Sequence, residues 1–143
     1  RTGVFRWVRT RRQARQDSRE EGLQARAIGW QEFVASTDAA AFERFAAWLF
    51  GQQGYRARVV GGTGDHGINV ELERDGLPAV AQCKRYTDRA VTAGEVRDFY
   101  GAMVGARARQ GYLLTTSSFT RDARRFVSHR TGGTVSEYCW VYL

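Results

Sequence analysis

The stretch GINVELERDGLPAVAQCKRY, residues 67–86, decides the fold. Ile68, Val70 and Leu72 alternate with Asn69, Glu71 and Glu73, the period of a strand with one buried face. Asp75-Gly76 is a turn signal, and Ala79 to Lys84 reads as the returning strand. With the turn centred between Asp75 and Gly76, Asn69 lies opposite Gln82. Alternation then puts Gln82 and Lys84 on one face and Cys83 on the other. The spacing therefore predicts that Asn69, Gln82 and Lys84 gather on one side of a hairpin. Pro78 and a longer loop are the features that would shift this register.

Working outward, Ser36, Thr37 and Asp38 offer helix N-caps. Phe42, Phe45, Ala46 and Leu49 follow at helical spacing until Gly51 and Gly54, and Glu43 lies beside that stripe. Tyr55 to Val60 reads as a first strand, and Gly61, Gly62 and Gly64 make a loop. Beyond the hairpin, Thr92 and Glu95 form a capping box. Val96, Phe99, Tyr100 and Met103 make the buried stripe of a helix ending near Gly111. Tyr112 to Thr116 is a short strand for which that helix supplies the crossover. Thr120 caps a third, Arg-rich helix over 121–130, and a final strand runs from Thr134 to Leu143. The order α-β-β-β-α-β-α-β predicts an α/β domain with a mixed sheet and helices on its faces.

The chain of 143 residues fits one domain, and 43% hydrophobic with 13% aromatic residues is enough for a core. No apolar run is long enough to span a bilayer, and Arg6 and Arg9 break the first apolar stretch, so no secretory signal is read. Cys83 and Cys139 alone cannot staple a disulfide scaffold, and His66 and His129 lie too far apart for a two-histidine zinc motif. The net charge is +7, which favours an anionic partner. Much of it sits in residues 1–28, where eight arginines oppose Asp17, Glu20 and Glu21. With almost nothing apolar between Arg9 and Gly22, this segment reads as a solvated extension or helix, and residues 29–143 as the globular domain. An Arg-rich start of this kind also suits the cytoplasmic side of an upstream membrane anchor. Lys84 is the one lysine in the chain. Wherever charge alone is needed this protein uses arginine, so a compact ammonium at one position marks that position.

Together these residues resemble the Mrr-type restriction endonucleases of the PD-(D/E)xK nuclease superfamily. The matching pieces are FERFAAWLFGQQGY (42–55), GGTGDHGINV (61–70), QCKRY (82–86), VRDFYGAM (96–103) and LLTTSSFT (113–120), in order along more than half the chain. The resemblance implies a restriction-endonuclease-like core and a Mg²⁺-dependent DNA endonuclease, with Mn²⁺ as a substitute metal. It also implies site residues: Glu43 and the Asn69 position for metal, the Cys83 backbone carbonyl as a further ligand, Gln82 for metal or water, and Lys84 for the attacking water. The implied substrate is foreign or modified DNA in the cytoplasm, and cuts in both strands imply a homodimer. Arg9, Arg11, Arg12, Arg15, Arg124 and Arg125 are the candidate phosphate contacts, which position DNA without reading bases.

The chemistry suits these residue types. Phosphodiester hydrolysis needs an in-line water and positive charge against the crowded phosphorus. Mg²⁺ takes hard oxygen ligands, usually with one or two carboxylates. An ammonium can hold a water and handle a proton, which a guanidinium cannot. Asn69 departs from the pattern, because the family carries Asp there. The amide keeps the shape and loses the charge, so metal affinity and cleavage should fall. Two explanations remain: an isosteric exchange made so that DNA is bound without being cut, which the otherwise intact site favours, or a naturally inactive relative. The non-catalytic alternative is a DNA-binding or interaction module on the same fold, with the basic extension as its DNA contact or membrane-surface tether. Elsewhere the ordinary readings prevail. Asp65 holds a turn, His66 is a loop residue, Ser117, Ser118 and Thr120 cap a helix, Cys83 is a small core residue, and Tyr138, Trp140 and Tyr142 pack in the last strand.

Overall fold

The computed structural model describes residue 20 and residues 30–60, 67–135 and 140–143. Arg9, Arg11, Arg12, Arg15, Asp65, His66, Tyr138 and Cys139 lie outside them, as does nearly all of the basic extension. The elements in order are α1 (Trp30–Ser36), α2 (Ala39–Gln52), β1 (Arg56–Val59), β2 (Val70–Arg74), β3 (Leu77–Lys84), α3 (Ala93–Gly105), β4 (Gln110–Thr115), α4 (Arg121–Phe126), a π-helical turn (Val127–Thr131), β5 (Thr134–Val135) and β6 (Trp140–Tyr142). The strands form one mixed sheet in the order β1-β2-β3-β4-β6-β5, with β3 and β4 parallel and the other neighbours antiparallel.

Helix starts follow local chemistry. Asp38 caps α2 by accepting from the Ala41 N–H at 2.7 Å. The Thr92–Glu95 capping box opens α3, and Thr120 caps α4 through the Ala123 N–H at 3.1 Å. Each satisfies an N–H that the first helical turn leaves unpaired.

The sheet has a core on each face. On one, Phe42, Phe45, Ala46 and Phe50 of α2 pack with Phe33, Tyr55, Val70, Leu72, Ala79 and Ala81. On the other, Val96, Phe99 and Met103 of α3 and Ala123 of α4 pack with Val80 and Leu113. Residues Ala79 to Gln82 of β3 are all buried, as expected of a central strand covered on both sides. Among the described residues no helix is long and apolar enough to cross a membrane.

Four expectations need correction. A short helix, α1, precedes α2. The Arg-rich α-helix ends at Phe126 and continues as a π turn to Thr131, where Gly132 in the left-handed conformation lets the chain leave. The expected last strand is two short strands paired antiparallel, Thr134 opposite Tyr142 and Val135 opposite Val141.

The fourth correction bears on function. The hairpin register is as read from Arg74↔Leu77 to Val70↔Ala81, with Asp75 and Gly76 both at positive φ as the tight turn requires. It stops one residue short of the expected Asn69–Gln82 pair. The Asn69 N–H donates at 2.9 Å to the carbonyl of Ala81, the residue already opposite Val70. Two residues facing one is a β-bulge, which breaks alternation and re-aims a side chain. Ile68 packs with the α3-side core while Val70 lies in the α2-side core. Asn69 turns towards α2.

Candidate active site

The bulge delivers Asn69 to α2. Its Nδ2 donates to Glu43 Oε1 at 3.1 Å, and its Oδ1 accepts from the Cys83 N–H at 2.8 Å. The backbone donor settles which end of the amide is oxygen, so the nitrogen must face the carboxylate. Glu43 follows directly on Phe42, one of the most deeply buried side chains, and this anchors the carboxylate over the edge of the hairpin. Burial pushes the Glu43 carboxyl above its ordinary range, with the Arg44 charge pulling the other way. The Cys83 side chain packs on the same core. Burial, reinforced by the negative charge of Glu43, pushes its thiol far up, so it stays a protonated core thiol. At Cys83 it is the N–H that meets Asn69.

Gln82 does not join this pair as the hairpin reading expects. Gln82 follows Val80 onto the α3 side of β3, since alternate strand residues share a face. It is 6% exposed, and its Oε1 is buried with no donor. Its Nε2 lies against Gly67, where a Cβ would approach it to 2.7 Å. Gly67 has φ +64, so this close approach in a left-handed turn calls for glycine. Lys84 ends β3, half-buried, with Nζ 5.9 Å from the centre of the Tyr86 ring. Its carbonyl is held by the Thr115 hydroxyl at 2.8 Å and the Thr116 N–H at 3.2 Å. The loop beyond is pinned as well. Tyr86 Oη and Arg89 donate to Glu95 Oε1 at 2.9 and 2.7 Å, and the Arg89 guanidinium stacks 3.8 Å over the Tyr86 ring. The candidate residues thus share one end of the hairpin but divide between its faces: Glu43, Asn69 and Cys83 towards α2, and Gln82 towards α3.

Of the remaining candidates, Thr120 caps α4, and Ser117 lies at a bend that its N–H closes on Thr115 Oγ1 at 3.1 Å. Arg124 Nε donates to the Phe119 carbonyl at 3.3 Å, while Arg125 lines an open groove with Arg97, His129 and Arg130. Sequence reading passed over Arg97 and His129. They belong to different elements, and no spacing rule brings those elements together.

The catalytic-domain family model of the Mrr restriction endonucleases matches residues 34–135. The chain is similar to the type IV methyl-directed restriction enzyme EcoKMrr of Escherichia coli strain K12, with 43% identity over 76 residues, 51% of this chain and 25% of that protein. It therefore spans about a quarter of that relative's length. Among solved structures, a protein of unknown function, AF1548, superposes with a TM-score of 0.51 at 19% identity, over 60% of this chain and 51% of the other. Hjc, a Holliday junction resolvase of Archaeoglobus fulgidus, is a more distant match, with a TM-score of 0.43 at 19% identity, over 56% of this chain and 68% of the other. With the family model covering both strands of the hairpin, α2 and all that follows to β5, the chain belongs to the Mrr-type restriction endonuclease family.

Proposed function

We propose that this chain is the nuclease module of a restriction enzyme that hydrolyses phosphodiester bonds in foreign or modified DNA, and that Asn69 holds its cleavage in check. The observation that carries this reading is the double hydrogen bond of Asn69. At the position where the family resemblance implies a metal-binding aspartate, an amide donates to Glu43 and accepts from the Cys83 N–H.

Nucleases of this class use divalent metals, and Mg²⁺ wants carboxylate oxygens. The donors of this chain do not suit it. Glu43 offers one carboxylate, and its Oε1 is already engaged by the amide. The only oxygen of the Asn69 side chain is occupied by a backbone N–H. Among the described residues no three acidic, histidine or cysteine side chains are grouped to hold a metal. The described residues of the chain as it stands therefore lack the ligand set that Mg²⁺ or Mn²⁺ would need.

The remaining polar groups keep their roles in this reading. Lys84 holds a water or a phosphate oxygen, and the buried Gln82 Oε1, which has no donor, accepts a hydrogen bond from a water and positions it. Arg9, Arg11, Arg12, Arg15, Arg124 and Arg125 bind backbone phosphates. Cutting both strands of a duplex calls for a second copy.

A second reading, a non-catalytic DNA-binding module on the same fold, is favoured by the same amide, which gives Glu43 a hydrogen-bond partner without a cation. Asn69→Asp separates the two. With Mg²⁺, the variant should nick supercoiled plasmid, and adding Lys84→Ala should abolish nicking while DNA binding persists. An Asn69→Asp variant that melts cooperatively and never nicks would leave the non-catalytic module.

A further inference from the structure

We propose that the open groove between α3 and the α4–π-turn segment is a second phosphate-ester site, filled by the backbone of a DNA strand lying outside the candidate active site. The groove has a volume of about 530 Å³ and is lined by Arg97, Asp122, Arg125, Phe126, His129 and Arg130. Three guanidiniums, one imidazole and one carboxylate make it cationic. On the β1–β2 strands and the loop before α3, by contrast, arginines are paired: Arg56 with Glu73, Arg58 with Glu71 and Arg89 with Glu95. Arg97, Arg125 and Arg130 have no carboxylate partner among the described residues, although Asp122 stands in the same groove. Three guanidiniums gathered around a single carboxylate repel one another, and a polyanion would relieve that repulsion.

Two further features fit a nucleic-acid strand. The Phe126 ring is half-buried in the groove, with the Arg97 guanidinium 5.8 Å from its centre. An aromatic face beside cations is how sequence-tolerant strand contacts are made. The wall carrying His129 and Arg130 is the π turn, a rare conformation that is frequent at functional sites. Position supports the assignment. The parallel strands β3 and β4 both end where Lys84 and Thr115 lie side by side. The helices α3 and α4 start shortly beyond, so Ala93 and Asp122 put the mouth of the groove at the Lys84 end of the sheet. From there it runs back along the α3 face, away from Glu43. An open groove of this shape admits a continuous strand rather than enclosing a small ligand.

The inference rests on DNA being the partner, and the test separates the two. Binding of the whole chain to fluorescent duplex and single-stranded DNA is measured by anisotropy across salt concentrations. Arg97→Ala/Arg130→Ala should lower the salt slope by about 2, one unit per lost phosphate contact. If the curves meet near 1 M salt, affinity at 0.15 M falls roughly 30-fold, alike for all sequences. Arg56→Ala/Arg58→Ala removes the same formal charge from paired positions and should leave the slope unchanged. Equal losses in both variants mean that bulk charge alone acts, and no loss in either means that the groove is not used; both overturn the proposal. Displacement of DNA from the groove by sub-millimolar mononucleotide would make the occupant a free nucleotide and also overturn it. An unaltered chain that binds no DNA at all would overturn this inference together with the choice of DNA as partner. A groove that fails while the chain still binds DNA leaves that choice standing.

Discussion

Asn69→Asp tests the central geometry through stability as well as through cutting. In the structure the Asn69 Nδ2 stands 3.1 Å from Glu43 Oε1, and the other end of the amide is fixed by the Cys83 N–H. An aspartate fixed in the same way would set a second carboxylate oxygen against the first. Two unit charges at that separation repel by about 1 kcal/mol in water and about 5 kcal/mol at an effective dielectric of 20. Both residues are half-buried, which places the repulsion between these limits, and the hydrogen bond to a charged acceptor is lost as well. The pair can escape by taking up a proton. From an ordinary glutamate value this costs about 4 kcal/mol at pH 7.5, which caps the penalty. A loss of about 3 kcal/mol, or roughly 10 °C in Tm, is expected at pH 7.5 without metal. The sign of the pH dependence follows. One carboxyl of the pair has its native pKa raised above the unfolded value, so the variant recovers most of the loss below about pH 4.5 and shows it fully only above the raised pKa. Mg²⁺ should restore stability at pH 7.5, since it binds the folded state alone. The assay is urea denaturation at pH 4.5 and 7.5, with and without Mg²⁺, on both proteins. A loss equal at the two pH values, or a variant indifferent to Mg²⁺, would refute the placement of the two side chains.

Glu43→Gln removes a carboxyl whose pKa is raised chiefly by burial. The unsubstituted chain should lose stability as pH rises through that pKa, and the variant should lack this fall; the difference between their denaturation midpoints from pH 4 to 7 measures it. Glu95 behaves in the opposite way. Burial raises its pKa, but the bonds from Arg89, the Thr92 N–H and Tyr86 outweigh that and hold it low. Glu95→Gln should therefore destabilise by about 1 kcal/mol at pH 7, as a lost cap does, with the difference vanishing as pH falls through the native pKa. Gly67→Ala adds a Cβ 2.7 Å from Gln82 Nε2 at a positive φ, a clash combined with backbone strain that should cost about 1–3 kcal/mol in thermal or urea melts. Gly111→Ala meets Met103 Sδ at 2.6 Å and the Phe99 ring and should cost a similar amount by overpacking.

The sequence by itself determined the parts that depend on local rules. Asp75-Gly76 set the hairpin and its register as far as Val70–Ala81. Asp38, Thr92 and Thr120 set the starts of three helices, because a short polar side chain before an apolar stripe has an unpaired N–H to bind. The solitary lysine and the QCK run marked the end of β3 as the candidate site. Tertiary structure decided what alternation could not. The bulge at Asn69 arises from which carbonyl its N–H meets, and that depends on how β2 lies against β3. One residue of slip moves a side chain to the opposite face, so the amide reaches Glu43 while Gln82 turns towards α3. The cationic groove lay beyond sequence for the same reason. Arg97 stands some thirty residues before Arg130, and only the packing of α3 against α4 and its π turn brings them to one opening.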